Sequence, residues 1–195
     1  MDKANDVQIE AKGEGVLEEG DEVKKIRNKR NRGSTTHPIG LYAVQCYECD
    51  QWRTVPTQEE FEKIRENFTK DKWVCTKKPN CSCKDPADIE YDSSRIWVID
   101  RPGIPKAPPE TERQVVLRSD LSRMDTYYIM PTGKRIKGAS DLDKFLEANP
   151  HYKGRMSASD FNFATPKVVE ETVSAWKAAM AKEQEKASGP SRGQK

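Results

Sequence analysis

The five cysteines of the chain fall within one stretch of the sequence, and their spacing could bind a metal ion. They form a C-x-x-C pair, a gap of 25 residues and a second group: Cys46 and Cys49, then Cys75, Cys81 and Cys83. Tetrahedral zinc takes four thiolate or imidazole ligands, commonly as one close pair and a second pair that the fold brings near it. Both histidines, His37 and His151, lie outside this stretch, so we expect an all-cysteine site.

Two other interpretations of the C-x-x-C pair are weaker. A redox pair is expected at the start of a helix in a βαβ unit, and the sequence that follows Cys49, Asp50–Pro56, is not typical of a helix start. Unrelated buried cysteines would not cluster in this way. Zinc is therefore favoured, with Cys46, Cys49 and Cys75 as ligands and either Cys81 or Cys83 as the fourth. The cysteine-containing segment is only about 45 residues long, and a bound zinc ion would account for its stability because its own core is small.

The cysteine pairs must be positioned by a short helix that separates them. Thr57 and Glu60 form a capping-box pattern, and Phe61, Ile64 and Phe68 follow at helical spacing. The sequence therefore predicts an amphipathic helix between the two halves of the zinc site.

The segment resembles the CW-type zinc finger, on the pattern V-Q-C-x-x-C-x-Q-W-R-x-x-P that starts at Val44, then W-V-C at 73–75 and C-x-x-P at 83–86. The resemblance implies one zinc ion, held by Cys46, Cys49, Cys75 and Cys83. It also implies a methyl-lysine cage, in which Trp52 is one wall. The position of the family's other cage wall is occupied by Ala43 in this chain. Two alternatives therefore remain open: a finger that binds a methylated histone tail, and a finger with a purely structural or protein-binding role.

A second unit follows, with several basic side chains on predicted strands. The strands are predicted at 114–118, 126–130 and 135–137, with a turn at Pro131–Lys134, and a helix capped by Ser140 has Leu142 and Phe145 on its apolar face. Strands followed by one helix predict a small α+β domain. Strand-borne arginines suit a DNA groove, because a guanidinium donates two parallel hydrogen bonds to guanine. The basic and aromatic side chains here are Arg113, Arg118, Arg123, Tyr127, Tyr128, Lys134, Arg135 and Lys137.

This unit resembles the methyl-CpG-binding domain (MBD), on the ordered motifs Leu117-Arg118, 124–128, Pro131–Lys134 and 160–163. A CW finger followed by this domain resembles one group of plant methyl-CpG-binding-domain proteins. The resemblance implies two DNA-reading side chains, an aspartate that orients the first and a tyrosine near the methyl group. By position these are Arg118 and Lys137, with Asp125 and Tyr127.

Lys137 stands where the family has an arginine. A lysine is a point charge and cannot reproduce the planar two-bond contact to a base. We therefore expect contacts to the DNA backbone, including one from Lys134, to persist, while selectivity for methyl-CpG is weakened.

The chain has 195 residues, of which 34% are hydrophobic and 34% charged, which favours small folded units in polar segments. We predict a disordered tail with a basic run over 1–38, the finger over 39–86, a Pro-rich linker over 87–108, the MBD-like domain over 109–166, and a helix and tail over 167–195. The fold class is α+β: a zinc-stabilised finger, then a three- to four-stranded sheet with one helix.

The predicted function follows from these units. The basic run Lys24–Arg32 is typical of a nuclear localisation signal or a nucleic-acid-binding arm. The sequence contains no catalytic triad pattern, P-loop or dinucleotide fingerprint, and no apolar run long enough to span a bilayer. We expect a non-enzymatic nuclear chromatin protein that acts in transcription regulation, binding double-stranded DNA and a histone tail. The alternative is an adaptor subunit of a chromatin-modifying complex that reads no DNA.

Overall fold

The structure is a computed structural model that describes residues 7–11, 36–92 and 94–187. The basic run Lys24–Arg32 and residues 188–195 lie outside this part of the chain. Within it, no helix has both the length and the apolar character needed to cross a membrane.

The described residues form one mixed α+β unit built on an eight-stranded antiparallel sheet. The strands are β1 Val7–Ala11, β2 His37–Gln45, β3 Trp52–Val55, β4 Ile96–Asp100, β5 Glu112–Leu117, β6 Met124–Ile129, β7 Arg135–Ile136 and β8 Lys167–Val168. The helices are α1 Gln58–Asn67, α2 Ala139–Ala148 and α3 Glu170–Ala187. The sheet runs in the order β7-β6-β5-β2-β1-β4-β8, and β3 pairs with β2.

Strand β2 joins the two predicted units into this one sheet. Its first two residues, His37 and Pro38, pair with Leu117 and Val116 of β5. Its later residues pair with β3 on that same edge and with β1 on the other edge. The strands of the zinc finger and those of the MBD-like unit therefore belong to one hydrogen-bonded sheet.

The predicted helix between the cysteine pairs is confirmed as α1. Thr57 is its N-cap and accepts a hydrogen bond from the Glu60 amide over 3.2 Å. Phe61 and Phe68 are buried in the main core, and Ile64 packs against it. The amphipathic spacing thus seats α1 on the sheet.

The MBD-like unit has the predicted three strands and one helix. Gly133 adopts a φ of 80° in the loop between β6 and β7, a left-handed conformation that favours glycine in three-residue hairpin loops. Leu142 and Phe145 of α2 are buried as predicted. The helix begins earlier than expected, with Gly138 rather than Ser140 as its N-cap.

The segment 87–108 is not only the Pro-rich linker that its four closely spaced prolines suggested. It contains β4, which pairs with β1 and β8 and whose Ile96, Trp97 and Val98 are almost fully buried. The prolines follow this strand in a stretch that lies against α1, where the Gly103 amide donates to the Arg65 carbonyl over 2.8 Å. The run Ile96–Ile99 resembles a strand in the sequence, and β4 confirms it.

The two chain ends also differ from the prediction. Residues 7–11, predicted to be part of a disordered tail, form β1 between β2 and β4. Their sequence, V-Q-I-E-A, alternates apolar and polar residues as a strand does, but it is short and lies in an acidic segment that is typical of disorder. The helix expected from residue 167 begins at Glu170, because Lys167 and Val168 pair with β4 as β8. Helix α3 docks on β4, where the Trp97 amide donates to Thr172 Oγ1 over 3.0 Å.

The core and one buried charge network cross between the units. The largest apolar cluster combines Val44 and Phe61 of the finger with Val115 and Leu117 of β5. Nearby, Asp100 Oδ2 accepts hydrogen bonds from Arg65 Nη1 of α1 over 3.1 Å and from Arg113 Nη1 of β5 over 3.0 Å. Buried charges need such pairing, and here the pairing fixes α1, β4 and β5 together.

Candidate functional site

The first half of the zinc site is a tight knuckle that follows β2. The Cys46 amide donates to the Gln51 carbonyl and the Asp50 amide to the Cys46 carbonyl, each over 3.0 Å. Asp50 closes the turn with a φ of 59°, a left-handed conformation that aspartate tolerates better than most residues. The knuckle thereby directs both Cys46 and Cys49 towards the second group of cysteines.

The second half of the site comes from a short 3₁₀ helix, Cys75–Lys77, and from the loop beyond it. The Sγ atoms of Cys46, Cys49, Cys75 and Cys83 all lie within 4.8 Å of one another. Cys46 and Cys83 have their Sγ atoms 3.8 Å apart, and Cys49 and Cys75 have theirs 3.6 Å apart. Four sulfurs at the usual Zn–S distance in a tetrahedron are about 3.8 Å apart, so the thiol set fits one zinc ion. Cys81 does not belong to this group.

The thiols differ in how readily they ionise without a metal. Burial raises the pKa of Cys46, but backbone amides of Cys49, Glu48 and Cys75 outweigh that effect and lower it to about 7. Burial raises the pKa of Cys75 to about 11, against a hydrogen bond from Arg53 that lowers it. Zinc must therefore displace a proton from Cys75 when it binds near neutral pH.

Arg53 connects the zinc site to the loop that carries Cys83. Its side chain is 1% exposed, and its Nε donates to Cys75 Sγ over 3.2 Å. Its Nη2 donates to the carbonyls of Ser82 and Asp85 over 3.0 Å and 2.8 Å. The sequence motif contains this arginine, but its spacing gave no sign that one guanidinium would hold both a ligand sulfur and the ligand loop.

The proposed cage residue Trp52 packs against another indole. Its ring centroid lies 5.3 Å from that of Trp97 on β4, at an interplanar angle of 59°. A cation held between two ring faces needs a centroid separation of roughly 8 Å or more, since it sits about 4–6 Å from each. Ala43 is buried in the same cluster as Trp97 and Ile89. The space beside Trp52 is thus filled in part from within the chain.

One face of the β5–β7 sheet carries the side chains predicted to meet DNA. Arg118, just after β5, donates from Nε to Asp125 Oδ2 over 2.9 Å and from Nη2 to Asp125 Oδ1 over 2.8 Å. This pair leaves both Nη1 hydrogens and one on Nη2 free to donate. The same pairing lowers the pKa of Asp125 and keeps its carboxylate charged. The structure thus pairs Arg118 with Asp125, the aspartate that the resemblance assigns to it.

Tyr127 shares that face but is covered by a neighbouring arginine. Tyr127 lies two residues before Ile129, the β6 partner of Arg135, so Tyr127 and Arg135 are diagonal neighbours on one face. The Arg135 guanidinium carbon is 4.0 Å from the centroid of the Tyr127 ring, and Tyr127 is only 7% exposed. Lys134 and Lys137 flank Arg135 and are exposed.

Two side chains grouped with this face in the sequence lie on the other side of the sheet. Tyr128 is fully buried beside Phe161, and its hydroxyl donates to the Asn162 carbonyl over 3.2 Å. Arg113 is 2% exposed and paired with Asp100. Strand alternation places residues 113 and 128 opposite each other and away from the Tyr127 face. Basic composition alone could not reveal which arginine was internal.

Comparison with known proteins gives two family matches. The CW-type zinc finger model matches residues 42–89, and the methyl-CpG-binding domain model matches residues 97–171. The chain is 50% identical over 135 residues to methyl-CpG-binding domain-containing protein 4 of Arabidopsis thaliana, which covers 69% of this chain and 72% of that protein. It is 44% identical over 163 residues to protein 1 of that series, which covers 84% of this chain and 79% of that protein. No solved structure gives a significant match.

The fold and the site define a binding protein that couples a zinc-holding CW finger to a methyl-CpG-binding domain. The chain belongs to the plant methyl-CpG-binding-domain proteins that carry an N-terminal CW-type zinc finger. Zinc is the cofactor of the finger, consistent with the four clustered cysteines.

Proposed function

We propose that this chain is a nuclear, chromatin-associated protein that binds double-stranded DNA through the exposed face of β5–β7. The observation that carries the proposal is the two-point pair between Arg118 and Asp125, because it holds a partly exposed guanidinium in one orientation and leaves three of its donor hydrogens unused by the carboxylate. Arg135 and Lys137 add positive charge to the same face. The relatives' names refer to a methyl-CpG-binding domain, which supports DNA as the ligand.

The test is a titration of the whole chain with duplexes that contain methylated or unmethylated CpG, at several salt concentrations. Binding should weaken as salt rises, because phosphate contacts release counterions. Arg118→Ala should weaken binding to both duplexes. The proposal fails if the unaltered chain binds neither duplex at low salt.

The selectivity of this surface depends on Lys137. We propose that the chain binds CpG duplexes with little preference for methylation, because Lys137 offers a point charge where a two-bond contact to guanine is needed. The proposed site comprises Arg118, Asp125, Tyr127, Lys134 and Lys137.

For the finger, we propose Cys46, Cys49, Cys75 and Cys83 as the four zinc ligands, with a protein partner such as a histone tail. Trp52 is the proposed contact for a methylated lysine, and its packing on Trp97 predicts weak discrimination between methylation states. Titration of histone-tail peptides with the chain and with Trp52→Ala tests this assignment. Equal and measurable binding by both proteins would remove Trp52 from the site.

A second candidate function is an adaptor subunit of a chromatin-modifying complex, in which these surfaces bind proteins. The burial of Ala43 in one cluster with Trp97 and Ile89 favours it, since an alanine at that position cannot present a cage wall. Affinity purification from nuclei distinguishes the two: stable complex subunits support the adaptor, and their absence together with duplex binding supports the DNA-binding role. Transcription regulation is the expected outcome of either role.

A further inference from the structure

The DNA-binding face proposed above presents a second arginine that the family motif does not assign. Arg135 lies on β7, next to β6 and two residues before Lys137. Its guanidinium is stacked on Tyr127, and Arg135 as a whole is exposed. No carboxylate among the described residues lies within ion-pair distance of it. Its donors are therefore free while its position is held.

The two arginines of this face are fixed by different means. Arg118 is held by the Asp125 carboxylate, and Arg135 by the face of the Tyr127 ring. An arginine stacked on a ring loses less side-chain freedom on binding than a free one, because its planar fork is already oriented. Both side chains thus present an oriented planar group with two parallel donors, which is what base reading requires. Lys137 has no such group.

The stack also changes what Tyr127 can do. Because Arg135 covers its ring, Tyr127 is 7% exposed and cannot meet a methyl group unless Arg135 moves away. The surface offered to the duplex at this point is the guanidinium. Its matching partner in the major groove is guanine, through O6 and N7.

On the basis of the proposed DNA-binding function, we propose that Arg135 supplies the second base-reading guanidinium of this face, contacting guanine O6 and N7 without regard to cytosine methylation. Tyr127 is then a positioning residue that holds Arg135. The same sheet face would read two guanines with Arg118 and Arg135, and Lys137 would contact phosphate.

The test compares Arg135→Ala and Arg135→Lys of the full chain on a G·C-containing duplex, an A·T-only duplex and a duplex with 7-deazaguanine, which lacks N7. Both variants should bind the G·C duplex about 10- to 100-fold more weakly and lose the preference over the 7-deaza duplex. Affinity for the A·T duplex should change little in Arg135→Lys. The melting temperature of each variant shows whether the fold is kept.

Arg155→Lys is the matched control. Arg155 is also exposed and its guanidinium lies 5.6 Å from a tyrosine ring centroid, that of Tyr152, which packs against the core on the other side of the sheet. This variant should leave all three affinities unchanged.

Two results would overturn the inference while leaving the DNA-binding function standing. Equal weakening on all three duplexes, restored by lysine, would make Arg135 a phosphate contact. Unchanged binding by Arg135→Ala, with binding still lost in Arg118→Ala, would give Arg135 no part in recognition. If the unaltered chain bound no duplex, the proposed function and the inference would fall together.

Discussion

The carboxylate of Asp100 and the guanidinium of Arg113 form a buried pair with two contacts, from Nη1 to Oδ2 over 3.0 Å and from Nη2 to Oδ1 over 3.4 Å. The same carboxylate receives Arg65, so its loss would leave two buried cations without their partner. Asp100→Ala should therefore destabilise the chain by about 3–5 kcal/mol, measured by urea unfolding. Glu59→Ala, which breaks an exposed pair with Lys106, is the control and should have little effect. A small effect of Asp100→Ala would show that the network adds no stability.

Removal of zinc should destabilise both halves of the molecule together. The apolar core combines finger and β5–β6 residues, and β2 pairs with β5, so loss of the finger exposes the other unit's core. A chelator should lower the melting temperature in a single transition, and duplex binding should weaken with it. Two separate transitions, with the second unaffected by the chelator, would contradict this prediction.

Replacement of a zinc ligand should remove the ion, whereas replacement of the fifth cysteine, Cys81, should not. Native mass spectrometry should find one ion in the unaltered chain and in Cys81→Ser, and none or little in Cys46→Ser or Cys83→Ser. Zinc affinity should also fall as the pH is lowered from about 8 to 6, because protons compete for the thiolates. Loss of the ion in Cys81→Ser, with retention in Cys83→Ser, would reverse the choice of the fourth ligand.

Arg53 should support zinc binding without being a ligand. It donates to Cys75 Sγ and holds the Cys83 loop, and partners of this kind typically change metal affinity by about 10- to 100-fold. Arg53→Ala should weaken zinc binding by that factor in a competition with a chromogenic chelator. Lys78→Ala, which removes a bond to Asp88 nearby, serves as control. Equal zinc affinity in the Arg53 variant would leave the hydrogen bond to sulfur without a role.

Lys137→Arg tests the origin of the weak methylation preference proposed for this chain. The change restores a planar group that can form two bonds to a base, and each such contact typically contributes about 1–3 kcal/mol of discrimination. The ratio of affinities for methylated and unmethylated CpG duplex should rise, as measured by fluorescence anisotropy at fixed salt. Lys134→Arg, on the neighbouring turn, should leave the ratio unchanged. An unchanged ratio in Lys137→Arg would place the cause elsewhere.

Local patterns predicted the individual elements well. The N-cap of α1, the strands and turn of the MBD-like unit and the apolar face of α2 follow from spacing, turn chemistry and propensity, which act over a few residues. The cysteine spacing predicted zinc for the same reason. The resemblance to known motifs narrowed the fourth ligand to Cys83, where the spacing alone left two choices.

Relations between distant residues were not predictable from such patterns. Arg113 looks like a DNA-facing arginine in the sequence and is buried against Asp100, because the face of a strand residue depends on the sheet beside it. Trp97 lies in a run that resembles a strand and forms one, but nothing in that run indicates that its ring packs on Trp52. Arg135 was counted with the basic residues, yet its stack on Tyr127 depends on the diagonal relation between β6 and β7.

The pairing of β2 with β5 places the finger and the MBD-like unit on one sheet, so their surfaces lie at a fixed distance and angle. A flexible joint would let the finger and the proposed DNA-binding face engage partners over many separations, each with a modest gain in affinity. Two surfaces built on one sheet gain from each other only where a duplex and a protein partner present the matching distance and angle. We therefore expect the shared strand to make the chain selective for the spacing between a bound duplex and a bound protein partner.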